Sequence, residues 1–139
     1  MADFPTLAFD LDGTLVDTAN DLVATLNRVL NDEKLPPLPF DAAVTMVGHG
    51  ARAMLAAALS ANGGAPETGR LDRLTQRFLD DYAEHLADHS RPFPGVVEAL
   101  DRFAAAGWRL AVCTNKLEGL SRRLLDELGL TERFAAICG

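Results

Sequence analysis

At 139 residues the chain is long enough for one modest domain, or for a small core carrying an insertion. Hydrophobic residues make up 48%, so it can fill a core and is not disordered by composition. A net charge of −7 argues against a nucleic-acid or anionic-membrane surface, since both need basic patches. It leaves a phosphate ester open as substrate, because a local metal ion and a lysine reverse the field around them. Cys113 and Cys138 have no zinc-like spacing, and both fall in apolar stretches. Buried free thiols in a reducing compartment are therefore expected. No apolar run is long enough to span a bilayer and no secretory signal opens the chain, so a soluble cytoplasmic protein is expected.

The first element is a strand, Thr6 to Asp10, an apolar run that reads as buried. Gly13-Thr14 is the turn that ends it. Residues i and i+2 of a strand share a face, so Asp10 and Asp12 are predicted to leave the sheet together at the strand's carboxyl end. Open α/β sheets place their chemistry there. Two anions held so close repel and need a partner, and a hard divalent cation such as magnesium is the simplest one. The plain alternative is a strand-end turn with ordinary helix caps.

From Asp17 the period turns helical. Leu22, Leu26, Val29 and Leu30 make one face, and Pro36, Pro37 and Pro39 break it. A short helix is expected over Asp41 to Met46. Gly48-His49-Gly50 interrupts, and a second face follows with Ala51, Met54, Leu55, Ala58 and Leu59. Asn62-Gly63-Gly64-Ala65-Pro66 reads as a loop, and Leu71, Leu74, Phe78, Leu79 and Tyr82 line a longer helix. Residues 18–88 thus read as consecutive helices without a strand. His85 and His89, four apart, have metal-ligand spacing. Without a third ligand they read as a solvated helix face.

Pro92-Phe93-Pro94-Gly95 is a rigid connector into a helix that runs to about Ala105 and stops at Gly107. Arg109 to Thr114 is a second buried strand. Leu120, Leu124, Leu125 and Leu128 mark a helix capped at Gly129, and Phe134 to Cys138 is a third strand. The order implies a parallel sheet, with the helical block inserted between its first and second strands. The expected fold class is therefore α/β, a Rossmann-like parallel sheet of three strands with an inserted all-helical cap. The core takes residues 1–17 and 89–139, and the cap takes residues 18–88.

Asp10, Asp12, Gly13, Thr14, Leu15 and Asp17 match, without a gap, the phosphatase form of the first motif of the haloacid dehalogenase-like superfamily. Thr114-Asn115-Lys116 resembles its second motif, and the helical insertion after the first motif resembles its capped members. The resemblance implies that Asp10 is a nucleophile forming an aspartyl phosphate and that Asp12 is the general acid and then the base. It implies magnesium on the Asp10 carboxylate and the Asp12 main-chain carbonyl, and Thr114, Asn115 and Lys116 at the phosphoryl group. Thr114 and Asn115 as mere helix caps, and Lys116 as a solvated lysine, are the plain alternatives. Asp17 either caps the first cap helix or positions the hinge.

The stretch Val47-Gly48-His49-Gly50-Ala51 is similar to that of bacterial phosphoglycolate phosphatases. Helix-start amides at Gly48, His49 and Gly50, with Arg52 beside them, suit a carboxylated leaving group. An ordinary interhelical turn is the alternative. The implied function is magnesium-dependent phosphomonoester hydrolysis on a small-molecule phosphate ester. Sugar-phosphate or pyrophosphate hydrolysis, a phosphoglucomutase-like reaction and a truncated inactive chain stay open. The resemblance also implies a further lysine and an acidic pair beyond the third strand. Neither is present, and a piece of a longer protein is the expectation. Oligomeric state is not legible.

Overall fold

The computed structural model describes residues 5–64 and 67–139. In chain order these form β1 (Thr6–Phe9), β2 (Val16–Asp17), α1 (Ala19–Asp32) and α2 (Phe40–Ala43), which runs into a 3-10 turn at Val44–Met46. Next come α3 (Ala51–Ala61), α4 (Thr68–Glu84), β3 (Arg91–Pro92), α5 (Val96–Ala105), β4 (Arg109–Cys113), α6 (Glu118–Glu127), a 3-10 turn at Thr131–Arg133 and β5 (Ala136–Cys138). Asn62 to Gly64 follow α3 as the expected loop, whose last residues, Ala65 and Pro66, lie outside the described residues.

β1, β4 and β5 form one parallel sheet in the order β1-β4-β5, with Phe9 opposite Val112 and Val112 opposite Ile137. The central strand β4 buries Leu110, Ala111 and Val112. The apolar run of β1 predicts burial, but β1 is exposed or half-buried along its length. It is the edge of the described sheet and has a strand on one side only. Cys113 and Cys138 are register partners and both are exposed, which corrects the expectation of buried thiols. Each is the last residue of its strand, beyond the packed middle.

The helices follow the apolar periods. Leu22, Leu26, Val29 and Leu30 of α1, Met54, Leu55, Ala58 and Leu59 of α3, and Leu71, Leu74, Phe78 and Tyr82 of α4 are all buried. α4 packs on both α1 and α3. Full burial of each leucine contributes roughly 1.5–3 kcal/mol. Arg28 of α1 grips Asp81 of α4 through Nε at 2.9 Å and Nη2 at 2.5 Å.

A two-stranded antiparallel ribbon, absent from the sequence reading, joins this helical block to the sheet. β2 pairs with β3, with Val16 opposite Pro92 and Asp17 opposite Arg91. The block therefore leaves and rejoins the sheet at neighbouring points. Asp17 does not cap α1, whose N-cap is Thr18 and lacks a side-chain capping bond. A buried carboxylate locks the junction. Asp21, 2% exposed, accepts the His89 backbone N–H at 2.9 Å and the Ser90 hydroxyl at 2.6 Å. It lies in the first turn of α1, where the helix N-terminus favours a negative charge.

Asp21→Ala leaves the buried Ser90 hydroxyl and the part-buried His89 N–H without their acceptor. It should destabilise the fold by about 2–3 kcal/mol, read as a shift in urea midpoint. A midpoint equal to wild type would mean that this junction is solvated in solution.

Candidate active site

The loop after β1 is wound on one carbonyl. Leu11 O accepts the N–H groups of Thr14, Leu15 and Val16 at 3.2, 3.0 and 3.1 Å, and Gly13 N–H donates to Val16 O at 2.9 Å. Gly13 takes φ +77°, a left-handed turn that suits glycine. Leu11 between the two aspartates is fully buried. Asp10 is exposed, and its Oδ1 accepts the Leu11 N–H at 2.8 Å. Asp12 turns inward, its side chain only 8% exposed.

The loop after β4 lies alongside because β4 is the neighbour of β1. Thr114 Oγ1 accepts the Lys116 N–H at 3.1 Å, and the Thr114 N–H donates to Cys138 O at 3.0 Å. Neither Thr114 nor Asn115 caps α6, whose N-cap is Leu117 without a side-chain bond. Asn115 Nδ2 instead donates to Gly48 O at 2.9 Å, tying the β4 loop to the glycine loop of the helical block.

Lys116 is neither solvated nor directed outward. Its ammonium is buried, 2.9 Å from Asp12 Oδ1 and 2.6 Å from the Tyr82 hydroxyl. Thr18 Oγ1 donates to the same Asp12 Oδ1 at 2.8 Å. Burial lowers the Lys116 pKa below its ordinary value, and the Asp12 charge and hydrogen bond pull the other way. Burial, then the charges of Asp12 and Asp21, push the Tyr82 phenol well above its ordinary value of 10.0.

Above this pair lies a cavity of about 290 Å³. Its floor is Asp12, Asn115 and Lys116, and its walls include Met46, Phe78 and Leu120. Gly48, His49, Gly50 and Arg52 all line it, so the glycine loop and the strand-end loops share one space. Gly48 and Gly50 have φ +100° and +92°, and Gly50 is the N-cap of α3. Arg52 stands half exposed and pairs with Asp72 of α4. Asp10 is outside this lining, so the two aspartates face different spaces. His85 and His89 do not share a helix, because α4 ends at Glu84, and His85 pairs with Asp88 at 2.8 Å.

Asp10 offers an exposed carboxylate and Asp12 a main-chain carbonyl. Such hard oxygens fit a magnesium ion whose remaining positions are filled by water or substrate. The Asp12 carboxylate is engaged by Lys116 and Thr18. Among the described residues no group of three or more metal-ligating side chains converges.

The sequence reading missed the parts played here by Thr18 and Tyr82. A tyrosine within an apolar helix stripe was the available signal, since a buried phenol needs a polar partner.

A family model for haloacid dehalogenase-like hydrolases matches residues 7–139, and the chain belongs to that family. The phosphoglycolate phosphatase of Caulobacter vibrioides is 54% identical over 134 residues, covering 96% of this chain and 56% of its own length. That of Mesorhizobium japonicum is 46% identical over 135 residues, covering 97% and 60%. A crystal structure described as a predicted phosphoglycolate phosphatase from Haemophilus somnus superposes with a TM-score of 0.86 at 31% identity, over 100% of this chain and 64% of that one. The chain thus spans about three fifths of the length of these relatives. No described helix is long and apolar enough to cross a membrane.

Tyr82 is the only tyrosine in the sequence, which makes its ionisation directly visible. A phenol with a raised folded pKa contributes stability that is full below the ordinary value of 10.0 and is lost as pH rises beyond it. The tyrosinate absorption band should therefore appear only together with alkaline unfolding. A band growing in at an ordinary phenol pKa, with the circular dichroism unchanged, would place Tyr82 in water.

Proposed function

We propose that this chain carries the nucleophile, the acid–base group and the leaving-group pocket of a magnesium-dependent phosphatase for 2-phosphoglycolate. The observation that supports it most is the meeting of Asp12, Asn115 and Lys116 with the Gly48–Arg52 loop about one cavity, with the exposed Asp10 two residues before Asp12 on the same loop. The 54% identity to a phosphoglycolate phosphatase points to the same substrate. Residues 1–17 and 89–139 would be the catalytic core and residues 18–88 a cap, hinged at the β2–β3 ribbon. Two exposed free thiols, Cys113 and Cys138, suit the reducing cytoplasm.

In this reading Asp10 Oδ2 attacks phosphorus and displaces the glycolate alkoxide, leaving an aspartyl phosphate. Asp12 gives a proton to the departing oxygen, then takes one from the water that releases phosphate. The proton Asp12 gives leaves with glycolate, and the one it takes from water restores it for the next turnover. Thr114 and Asn115 receive the phosphoryl oxygens, and Lys116 adds positive charge beside them. Magnesium held by the Asp10 carboxylate and the Asp12 carbonyl would neutralise charge on the phosphoryl oxygens. The glycolate carboxylate would lie toward the α3 N-terminus, with Arg52 at the rim.

In the complete protein, Asp10→Asn should lower turnover of 2-phosphoglycolate by several orders of magnitude, with unfolding nearly unchanged. Steady-state assay of the purified variant decides this, and near-normal turnover would remove Asp10 from the mechanism. Arg52→Ala should raise KM for 2-phosphoglycolate more than for p-nitrophenyl phosphate, which has no carboxylate. Equal changes for the two substrates would leave Arg52 as a surface partner of Asp72 alone.

A further inference from the structure

We propose that Tyr82 is a positioning residue, through which the helical block holds the Asp12 carboxylate in its working orientation by way of Lys116. This rests on the acid–base role of Asp12 given above.

Asp12 Oδ1 receives two donors, the Thr18 hydroxyl at 2.8 Å and the Lys116 ammonium at 2.9 Å. With Oδ1 engaged twice, Oδ2 is the oxygen left for proton transfer. The ammonium sits at the end of a flexible four-carbon stem and does not hold its own place. Tyr82 supplies that constraint, with its hydroxyl 2.6 Å from Nζ and its ring centroid 4.3 Å from the same atom. Tyr82 is in turn enclosed by the core, 1% exposed, with its ring 6.1 Å from that of Phe78. Two chain segments meet here. Asp12 and Lys116 belong to the sheet's loops, whereas Tyr82 belongs to α4. Any displacement of α4 relative to the sheet withdraws the hydroxyl, frees the lysine and loosens the carboxylate. The seating of the helical block is thus read out at the oxygen that moves the proton.

The test compares two substrates in the complete protein. Glycolate is a poor leaving group and needs its proton, whereas p-nitrophenolate does not. Tyr82→Phe removes one oxygen and keeps the ring against the ammonium. It should lower kcat for 2-phosphoglycolate roughly tenfold, the lower part of a general-acid contribution, and kcat for p-nitrophenyl phosphate less than about twofold, with KM little changed for either. Combined with Lys116→Met it should be no worse than Lys116→Met alone, because the two side chains act in series. Equal losses on both substrates, or losses that add in the double variant, would overturn the proposal. Asp12→Asn run in parallel separates the two readings. If it leaves 2-phosphoglycolate turnover intact, the acid–base reading falls and this one with it. If it abolishes turnover while Tyr82→Phe shows no leaving-group dependence, only the positioning role falls. A melting curve accompanies each variant. Should Tyr82→Phe not fold, Tyr82→Met decides, since it too removes the hydroxyl that meets the ammonium and leaves Lys116 and Asp12 in place. The same leaving-group dependence is then expected, and equal losses refute.

Discussion

A carboxylate taken out of water must be given a counter-charge or become neutral, and Asp12 is the place where this fold meets that constraint. Its side chain is 8% exposed and that of Lys116 6%. While Asp12 is ionised each charge balances the other, and removing one partner of such a pair costs about 3–5 kcal/mol. The groups that satisfy them come from four separate pieces of chain: the β1 loop, the start of α1, α4 and the β4 loop. The pairing of β1 with β4 brings two of these together, and the packing of α4 on α1 brings the others. Besides the ribbon and the Asn115–Gly48 tie, the sheet and the helical block thus share a small polar centre within largely apolar surroundings, where hydrogen bonds are worth more than in water.

The elements were legible where period and length sufficed. The buried stripes of α1, α3 and α4 are the ones that helical spacing marks, and the strand-end aspartates lie where an apolar run stops at a glycine turn. The place of Thr114–Lys116 near Asp12 rested on the resemblance to the family's second motif, and the pairing of β1 with β4 gives its physical reason. The partner of Lys116 was not legible. Asp12 lies 104 positions away, and a lysine after a strand looks the same in sequence whether it meets solvent, phosphate or a carboxylate. The ribbon of β2 and β3 escaped because two residues have no period to detect. The cysteines were misjudged for a related reason. Apolar neighbours report on the middle of a strand, whereas Cys113 and Cys138 stand at strand ends.

The cavity has an uneven character that bears on its chemistry. Its walls are mostly aliphatic and aromatic, and its charges are gathered on the floor, with Arg52 at the exposed rim. The ion pair there is largely out of water, so the field a ligand meets is stronger than the same charges would exert at a surface. Charge density at that floor matters more than the net charge of −7 for what can enter.

The ribbon has a consequence at another scale. Val16 faces Pro92 and Asp17 faces Arg91, so more than seventy residues of chain begin and end on adjacent strands, about 4.8 Å apart. The register of the main sheet is then indifferent to the size and shape of what is spliced in at that point. What is spliced in there must still supply partners for the sheet's loops, as Tyr82 does for Lys116 and Gly48 for Asn115, so the insertion is exchangeable only as one cassette that keeps those contacts.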